Sequence, residues 1–396
     1  MKKKILIVDD SALMRRVLRD IINSDDRFEV ADEAHDGAEG FKLIVAHNYD
    51  AVVLDVYMPR MNGLDMLREM QKSNVSANVM MASTTTSEGA RETLDALELG
   101  AIDFIKKPEN VADARHTEFR EQFLSILDVV ANAKINIRKS VRPVTADSAR
   151  KFSSRYDVNF HTKGESDIKR LENAGISRTG HSDKPQVIGG SSTDAIIKPH
   201  TQVSGDKIVA IASSTGGPRA LQEVIPMLPA NLNAPVLLVQ HMPKGFTKSL
   251  AYRLNDLSSI TVSEAVDGEK IEKGHVYIAP GGLHMKLNKR PTGYVISLSD
   301  EPSREGVKPC ANYMYESLCD SDFAEITCAV LTGMGQDATV GIKALNDKKK
   351  IFCIAQDEET STVYGMPKAI AKTGLCNSVV PLNLVADQII KNVGVR

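Results

Sequence analysis

Tryptophan is absent from the 396 residues, and only 5% of them are aromatic. Nothing in that composition offers a platform for stacking bases. A formal net charge of −2 likewise supplies no basic field for nucleic acid or an anionic membrane. Apolar runs are short, and none approaches the roughly 20 residues a helix needs to cross a bilayer. The opening MKKKILIVDD has an apolar run of only four residues, 5–8, before two aspartates. It reads as a first strand rather than a signal peptide. The five cysteines, Cys310, Cys319, Cys328, Cys353 and Cys376, include no CxxC pair and have no accompanying histidine pair. That spacing argues against a zinc site and for buried free thiols in a reducing cytoplasm, the location expected for this chain.

What is present is ample core material, 42% hydrophobic residues, in a chain long enough for two or three domains. Over residues 1–130, short apolar runs at 4–8, 29–34, 51–54, 79–82 and 103–105 alternate with amphipathic stretches such as 13–22 and 39–46. Strand–helix alternation implies a parallel sheet with helices on both faces, whose working groups lie beyond the carboxyl ends of the strands. Asp9, Asp10, Asp55 and Lys107 all fall at such ends. Any one of these acids could be a solvated turn residue. Three carboxylates converging in one crevice repel one another, and Mg²⁺, a hard cation that wants oxygen ligands, relieves the repulsion. A lysine opposite could bind a phosphoryl oxygen, leaving Asp55 as a carboxylate that accepts phosphate.

These residues, with LDVYMPRMNGLD around Asp55, Ser83 after VMMA, and Lys107-Pro108, make the module resemble the response-regulator receiver domains. The resemblance implies a five-stranded doubly wound fold and Mg²⁺ held by Asp10 and Asp55 with Asp9 nearby. It implies phosphorylation of Asp55 by a partner histidine kinase, with Ser83 and Lys107 as the phosphate switch. In that family the Lys–Pro bond is often cis.

Residues 131–205 form the expected linker. From 134 to 200 there are 13 Lys or Arg against 7 Asp or Glu and few apolar clusters, so the segment reads as flexible and solvated.

Alternation returns over 206–396, with candidate strands at 208–212, 236–240, 260–264, 275–279, 294–299, 328–331 and 351–355. Candidate helices lie at 219–227, 247–255, 312–318, 338–346 and 366–372. The strand at 294–299 is expected to form a hairpin with the preceding strand, turning at Pro291–Gly293. The pattern is again α/β with a mainly parallel sheet. Its focus is the stretch 208–221, IVAIASSTGGPRAL, in which a buried strand ends in a hydroxyl-rich, Gly-rich turn and a helix begins. Ser214 could be a nucleophile there, Ser or Thr could simply cap the helix, or the turn could hold a phosphate. His241 follows VLLVQ and Asp337 follows AVLTGMG, each also at a strand end. A serine hydroxyl needs a base, and the base needs an orienting acid, so the three together could form a triad. Separately, His241 could be a packing residue and Asp337 a helix cap. GxSxG is absent, and the chain order differs from that of α/β-hydrolases.

The segments ASSTGGPRAL, VLLVQHMPKGFTKSLAYRLN, YIAPGGLHM, AVLTGMGQDATVGIKAL and AQDEETSTVYGMPKAI resemble the catalytic domain of the chemotaxis response-regulator methylesterases. That family also carries an N-terminal receiver. The resemblance implies a phosphorylation-activated serine hydrolase acting on chemoreceptor glutamate methyl esters and glutamines, with no cofactor in the catalytic domain. Ser214 would be the nucleophile, His241 the base and Asp337 the orienting acid. Met334 would contribute its N–H to an oxyanion hole, and Thr215 would lie at the rim. Two departures stand out. Gln336-Asp337-Ala338 replaces the family's Asn-Asp-Gly, and Lys308-Pro309-Cys310-Ala311-Asn312 replaces its Arg-Pro-Ser stretch, a change expected to affect the substrate rim rather than the chemistry. The rival readings are a phospho-switch whose second module only binds, and a nucleotide-binding module using STGG. The missing GxGxxG and Walker lysine count against the latter.

Overall fold

The structure, a computed structural model, describes residues 1–83, 87–108, 117–133, 196–201 and 203–396. Nearly all of the expected linker lies outside the described residues. The first sheet contains β1 (Lys3–Val8), β2 (Phe28–Ala34), β3 (Ala51–Asp55), β4 (Val79–Ser83) and β5 (Asp103–Lys106). Its strands are parallel, in the order β2-β1-β3-β4-β5. Alternation along β1 sorts the two cores. Ile5 and Ile7 face α1 (Ala12–Asn23) and α5 (Thr117–Asn132), while Leu6 and Val8 face α2 (Gly37–Ala46), α3 (Gly63–Lys72) and α4 (Ser87–Glu98). Burial on both faces explains why these strands read as continuous apolar runs. Side-chain caps from Ser11, Asp36 and Asn62 start α1, α2 and α3.

The second sheet is larger. Its strands are β6 (Ile196–Ile197), β7 (Lys207–Ser213), β8 (Val236–Gln240), β9 (Thr261–Glu264), β10 (His275–Ile278), β13 (Glu325–Val330), β14 (Ile351–Gln356) and β15 (Ser378–Val380). They run in the order β6-β15-β14-β13-β7-β8-β10-β9, and only the edge strand β6 is antiparallel. The central strand β7 again divides its residues. Val209 and Ile211 face α6 (Gly217–Val224), α7 (Phe246–Leu257) and α11 (Leu382–Val393). Ile208, Ala210 and Ala212 face α8 (Ala311–Ser317), α9 (Thr339–Lys348) and α10 (Met366–Ala371). The α/β class and the parallel sheets thus match the expectation. The hairpin differs in its partner: β12 (Gly293–Ser299) pairs with β11 (His284–Arg290), a strand not expected, in a separate two-stranded sheet. Among the described residues the cis peptide bond is Lys308–Pro309, not Lys107–Pro108. No helix among them is long and apolar enough to cross a membrane.

β7 has β8 on one side and β13 on the other, so chain connections leave it in opposite directions. The crevice beyond its carboxyl end is where an open parallel sheet places a ligand.

Candidate active site and phosphoacceptor pocket

Register places the first two candidate residues. Ser213 pairs with Gln240, so Ser214 and His241 lie immediately beyond the ends of adjacent strands, and His241 N donates to Ser213 O at 3.1 Å. On the other flank, Ser214 N donates to Thr332 O at 3.0 Å, at the start of the loop that carries Asp337. Gly333 permits this closeness: a Cβ there would lie 2.7 Å from the Ser214 Cβ. His241 Nε2 lies 2.8 Å from Asp337 Oδ2, leaving Nδ1 as the ring nitrogen not committed to the carboxylate. Among the described residues, the Ser214 hydroxyl makes no hydrogen bond to His241. It hangs on a single torsion with three staggered wells, and such contacts often tighten only when substrate binds.

Asp337 is buried and densely held. Oδ2 also accepts from Ala311 N at 2.6 Å. Oδ1 accepts from Asn312 N at 2.9 Å, Ala338 N at 2.8 Å and the Cys310 thiol at 3.1 Å. Burial pushes this carboxyl's pKa up. The hydrogen bond and charge of His241, with the donors from Ala311 and Cys310, outweigh burial and hold it at about 2. The Lys308–Asn312 departure therefore lies against the candidate acid itself, contrary to the expectation that it would affect the rim alone.

Thr215 is buried beside Ser214, and Met334 is partly exposed in the loop before Asp337. Two residues not singled out in the sequence complete the frame. Gln240 accepts from Ser213 Oγ at 2.7 Å and donates to Ser214 O at 3.0 Å and His241 O at 3.2 Å. Thr332 Oγ1 donates to Thr215 O at 2.9 Å and accepts from Val363 N at 2.9 Å. A polar residue closing an otherwise apolar strand, as in VLLVQ, is the signal that could have identified Gln240.

In the first sheet, Asp9, Asp10 and Asp55 bring carboxylate oxygens within 4.8 Å of one another. Lys107 Nζ lies 2.7 Å from both Asp9 Oδ2 and Asp55 Oδ2. Asp9 Oδ2 is buried, with the Lys107 ammonium against it. The close carboxylate cluster and its all-oxygen donor set fit a hard divalent cation. Burial raises the pKa of Asp55, with Lys107 opposing and Asp9 adding to the shift, to about 6. Ser83 ends β4, and its hydroxyl donates to Gly89 O at 3.1 Å.

The family described as CheB methylesterase matches residues 209–389, and the response-regulator receiver domain matches residues 5–117. A protein-glutamate methylesterase/protein-glutamine glutaminase of Pyrococcus horikoshii is 39% identical over 99% of this chain and 94% of its own length. The Bacillus subtilis protein of the same name is 39% identical over 98% of this chain and 97% of its own. The chain belongs to this methylesterase/glutaminase family. The crystal structure of the Thermotoga maritima CheB methylesterase catalytic domain is 40% identical, covering 48% of this chain and 99% of that one, with a TM-score of 0.46. Membership places the chain among the chemotaxis response regulators with hydrolase output.

In this family member, the receiver sheet's side of the molecule lies against the Ser214 rim. The Thr215 side chain lies close enough to Asp103 on β5 to oppose the rise that burial gives its carboxyl, and Ser125 Oγ on α5 lies 3.6 Å from Met334 Sδ. Phe104 stacks on Phe246 with centroids 4.7 Å apart. Arg253 on α7 reaches Asp95 and Glu98 on α4, donating to Asp95 Oδ1 at 2.6 Å and to Glu98 Oε1 at 2.9 Å. Apolar residues of α4 and β5 join one continuous core with those of α7.

Proposed function

We propose that the chain is a phosphorylation-activated methylesterase that removes methyl groups from glutamate esters, and deamidates glutamines, on chemoreceptors. Ser214 Oγ attacks the ester carbonyl while His241 Nδ1 takes its proton, and Asp337 fixes the ring and stabilises the imidazolium. Collapse of the tetrahedral intermediate returns that proton to the departing methoxide, releasing methanol. Water, activated by the same imidazole, then frees the glutamate and Ser214. A glutamine amide follows the same route and releases ammonia. The Met334 N–H serves the oxyanion hole, and Thr215 lines the rim. The second module requires no cofactor for this chemistry. The observation that carries the reading is the His241–Asp337 pair at 2.8 Å, beyond the end of the strand next to that of Ser214.

The working division is a receiver at 1–130, a linker at 131–205 and a catalytic domain at 206–396. In the receiver, Asp9, Asp10 and Asp55 would hold Mg²⁺, which would offset the charge of the carboxylates and an incoming phosphoryl group. Asp55 accepts phosphate from a histidine kinase, and Ser83 and Lys107 bind the phosphoryl oxygens. Serving receptors at their cytoplasmic ends, the protein works in the cytoplasm. At rest the receiver occludes Ser214, and phosphorylation loosens that cover. The contacts of Phe104 with Phe246 and of Met334 with Ser125 support this.

The test is methanol release from methylated receptor. Ser214→Ala should fall to background, while Asp55→Asn should keep the resting rate and lose activation by a phosphodonor. Hydrolysis persisting in Ser214→Ala would refute the triad. Activation persisting in Asp55→Asn would refute the switch.

A further inference from the structure

Besides His241, one short segment holds Asp337. Cys310 supplies a thiol donor to Oδ1 at 3.1 Å, and the next two backbone N–H groups, of Ala311 and Asn312, donate to Oδ2 and Oδ1. The Cys310 backbone is fixed in turn. Its N–H donates to His284 Nδ1 at 3.1 Å, and His284 Nε2 lies 3.1 Å from Pro302 O. With Nδ1 accepting, Nε2 must carry the ring proton. Cys310 and His284 are both fully buried, so no water competes for these bonds.

We propose that Cys310 is a positioning residue for the hydrolase reaction: its S–H aims and tempers the Asp337 carboxylate that orients His241, while His284 anchors the Cys310 backbone. The inference rests on the triad reading and extends it to a residue that touches no substrate.

The chemistry requires the thiol to stay protonated. Burial, the Asp337 charge and the hydrogen bond to Asp337 together push the Cys310 thiol up to about 12, so it remains a donor at physiological pH. Its role is therefore that of a hydrogen-bond donor and not of a nucleophile or redox centre. The other charged groups nearby are spoken for. Arg304 pairs with Glu316, Glu305 accepts from the Asn312 amide, Lys308 pairs with Asp300, and Lys286 pairs with Glu301. His284 is lowered by burial, with Pro302 O opposing, so it is neutral near pH 7.

A donor shared by the carboxylate draws charge away from the imidazolium it faces. Removing it should leave Asp337 less well aimed and more strongly attracting to a protonated His241. In the full-length protein, Cys310→Ala should lower kcat by about 3- to 10-fold with KM unchanged, the order expected for losing one weak donor to a charged acceptor. The acid limb of its kcat/KM profile should move to higher pH by about 0.3–0.5. Cys310→Ser, which restores an O–H donor, should recover both kcat and the wild-type limb. The infrared S–H stretching region gives a reading on unmutated protein, where one thiol band should be shifted to lower frequency and should vanish in Cys310→Ser. Ser214→Ala is run in the same assay. If it retains activity, the triad reading fails. If it is inactive while Cys310→Ala matches wild type in kcat and in pH profile, or no shifted S–H band is present, the positioning role is overturned. A loss in Cys310→Ala that Cys310→Ser does not rescue also overturns it, because cavity formation alone would explain that loss.

Discussion

Ala338 shows how far the site is built at the level of single residues. It follows Asp337 with a left-handed backbone, φ 81°, and so turns its own N–H onto Asp337 Oδ1 at 2.8 Å. A residue with a Cβ pays roughly 1–2 kcal/mol for that conformation. Glycine avoids the cost but gives up chain stiffness worth about 0.5–1 kcal/mol in the unfolded state. Ala338→Gly is therefore expected to stabilise the protein by roughly 0.5–1 kcal/mol, read as a higher urea midpoint at unchanged slope. A lower midpoint would show that the buried methyl group matters more than the strain. The same residue marks the limit of what the sequence can tell. Ser214 and His241 each end an apolar run and Asp337 lies in the turn after one, so the gathering of strand ends in a parallel sheet made the meeting of His241 and Asp337 legible. Gln240 and Cys310 were not. Their partners lie 25–27 residues away in sequence for the bonds that matter, and no period or spacing encodes such a meeting.

Between elements, the decisive contact joins α4 to α7. Arg253 is largely covered, whereas Asp95 and Glu98 each keep more than a third of their side-chain surface in water. Solvent therefore screens part of the attraction, leaving a net contribution of roughly 1 kcal/mol. Arg253→Ala should raise the resting methylesterase rate about fivefold, by shifting molecules to an uncovered form. An unchanged resting rate would show that the apolar contact of Phe104 with Phe246 suffices to keep the cover closed. Asp103 acts with the opposite sign. Burial raises it to about 6 from the ordinary 3.8, with the nearby Thr215 side chain opposing, so the covered form binds its proton more tightly. Closure is therefore favoured below pH 3.8 and weakens as pH rises through 6. Asp103→Asn should slow hydrogen exchange across α4 and α7 at pH 7 and flatten its dependence between pH 4 and 6. Faster exchange in that variant would mean the charged carboxylate itself holds the cover. None of this was readable from the chain, because amphipathic α4 and α7 look the same whether they face solvent or each other. The β11–β12 hairpin escaped for a related reason. KLNKR is polar along an exposed strand, and its partner pairing lies outside the parallel alternation that reveals the rest.

Across the whole molecule, two α/β sheets present their strand ends to different tasks. One collects carboxylates and a lysine that fit phosphate acceptance. The other collects a hydroxyl, an imidazole and a carboxylate that fit ester hydrolysis. The α4–β5–α5 side of the first lies over the rim of the second. Both fold patterns could be read from strand–helix alternation; the cover could not, since it depends on packing between modules. The proposed function joins the two tasks, making Ser214 a nucleophile whose exposure Asp55 governs. The most direct test is the rate at which a serine-reactive fluorophosphonate labels the full-length protein, located by peptide mass spectrometry, with and without a small-molecule phosphodonor and Mg²⁺. Labelling confined to Ser214, slow at rest and several-fold faster after phosphorylation, with no acceleration in Asp55→Asn, is the predicted result. Labelling elsewhere, or at a rate indifferent to the phosphodonor, would contradict it.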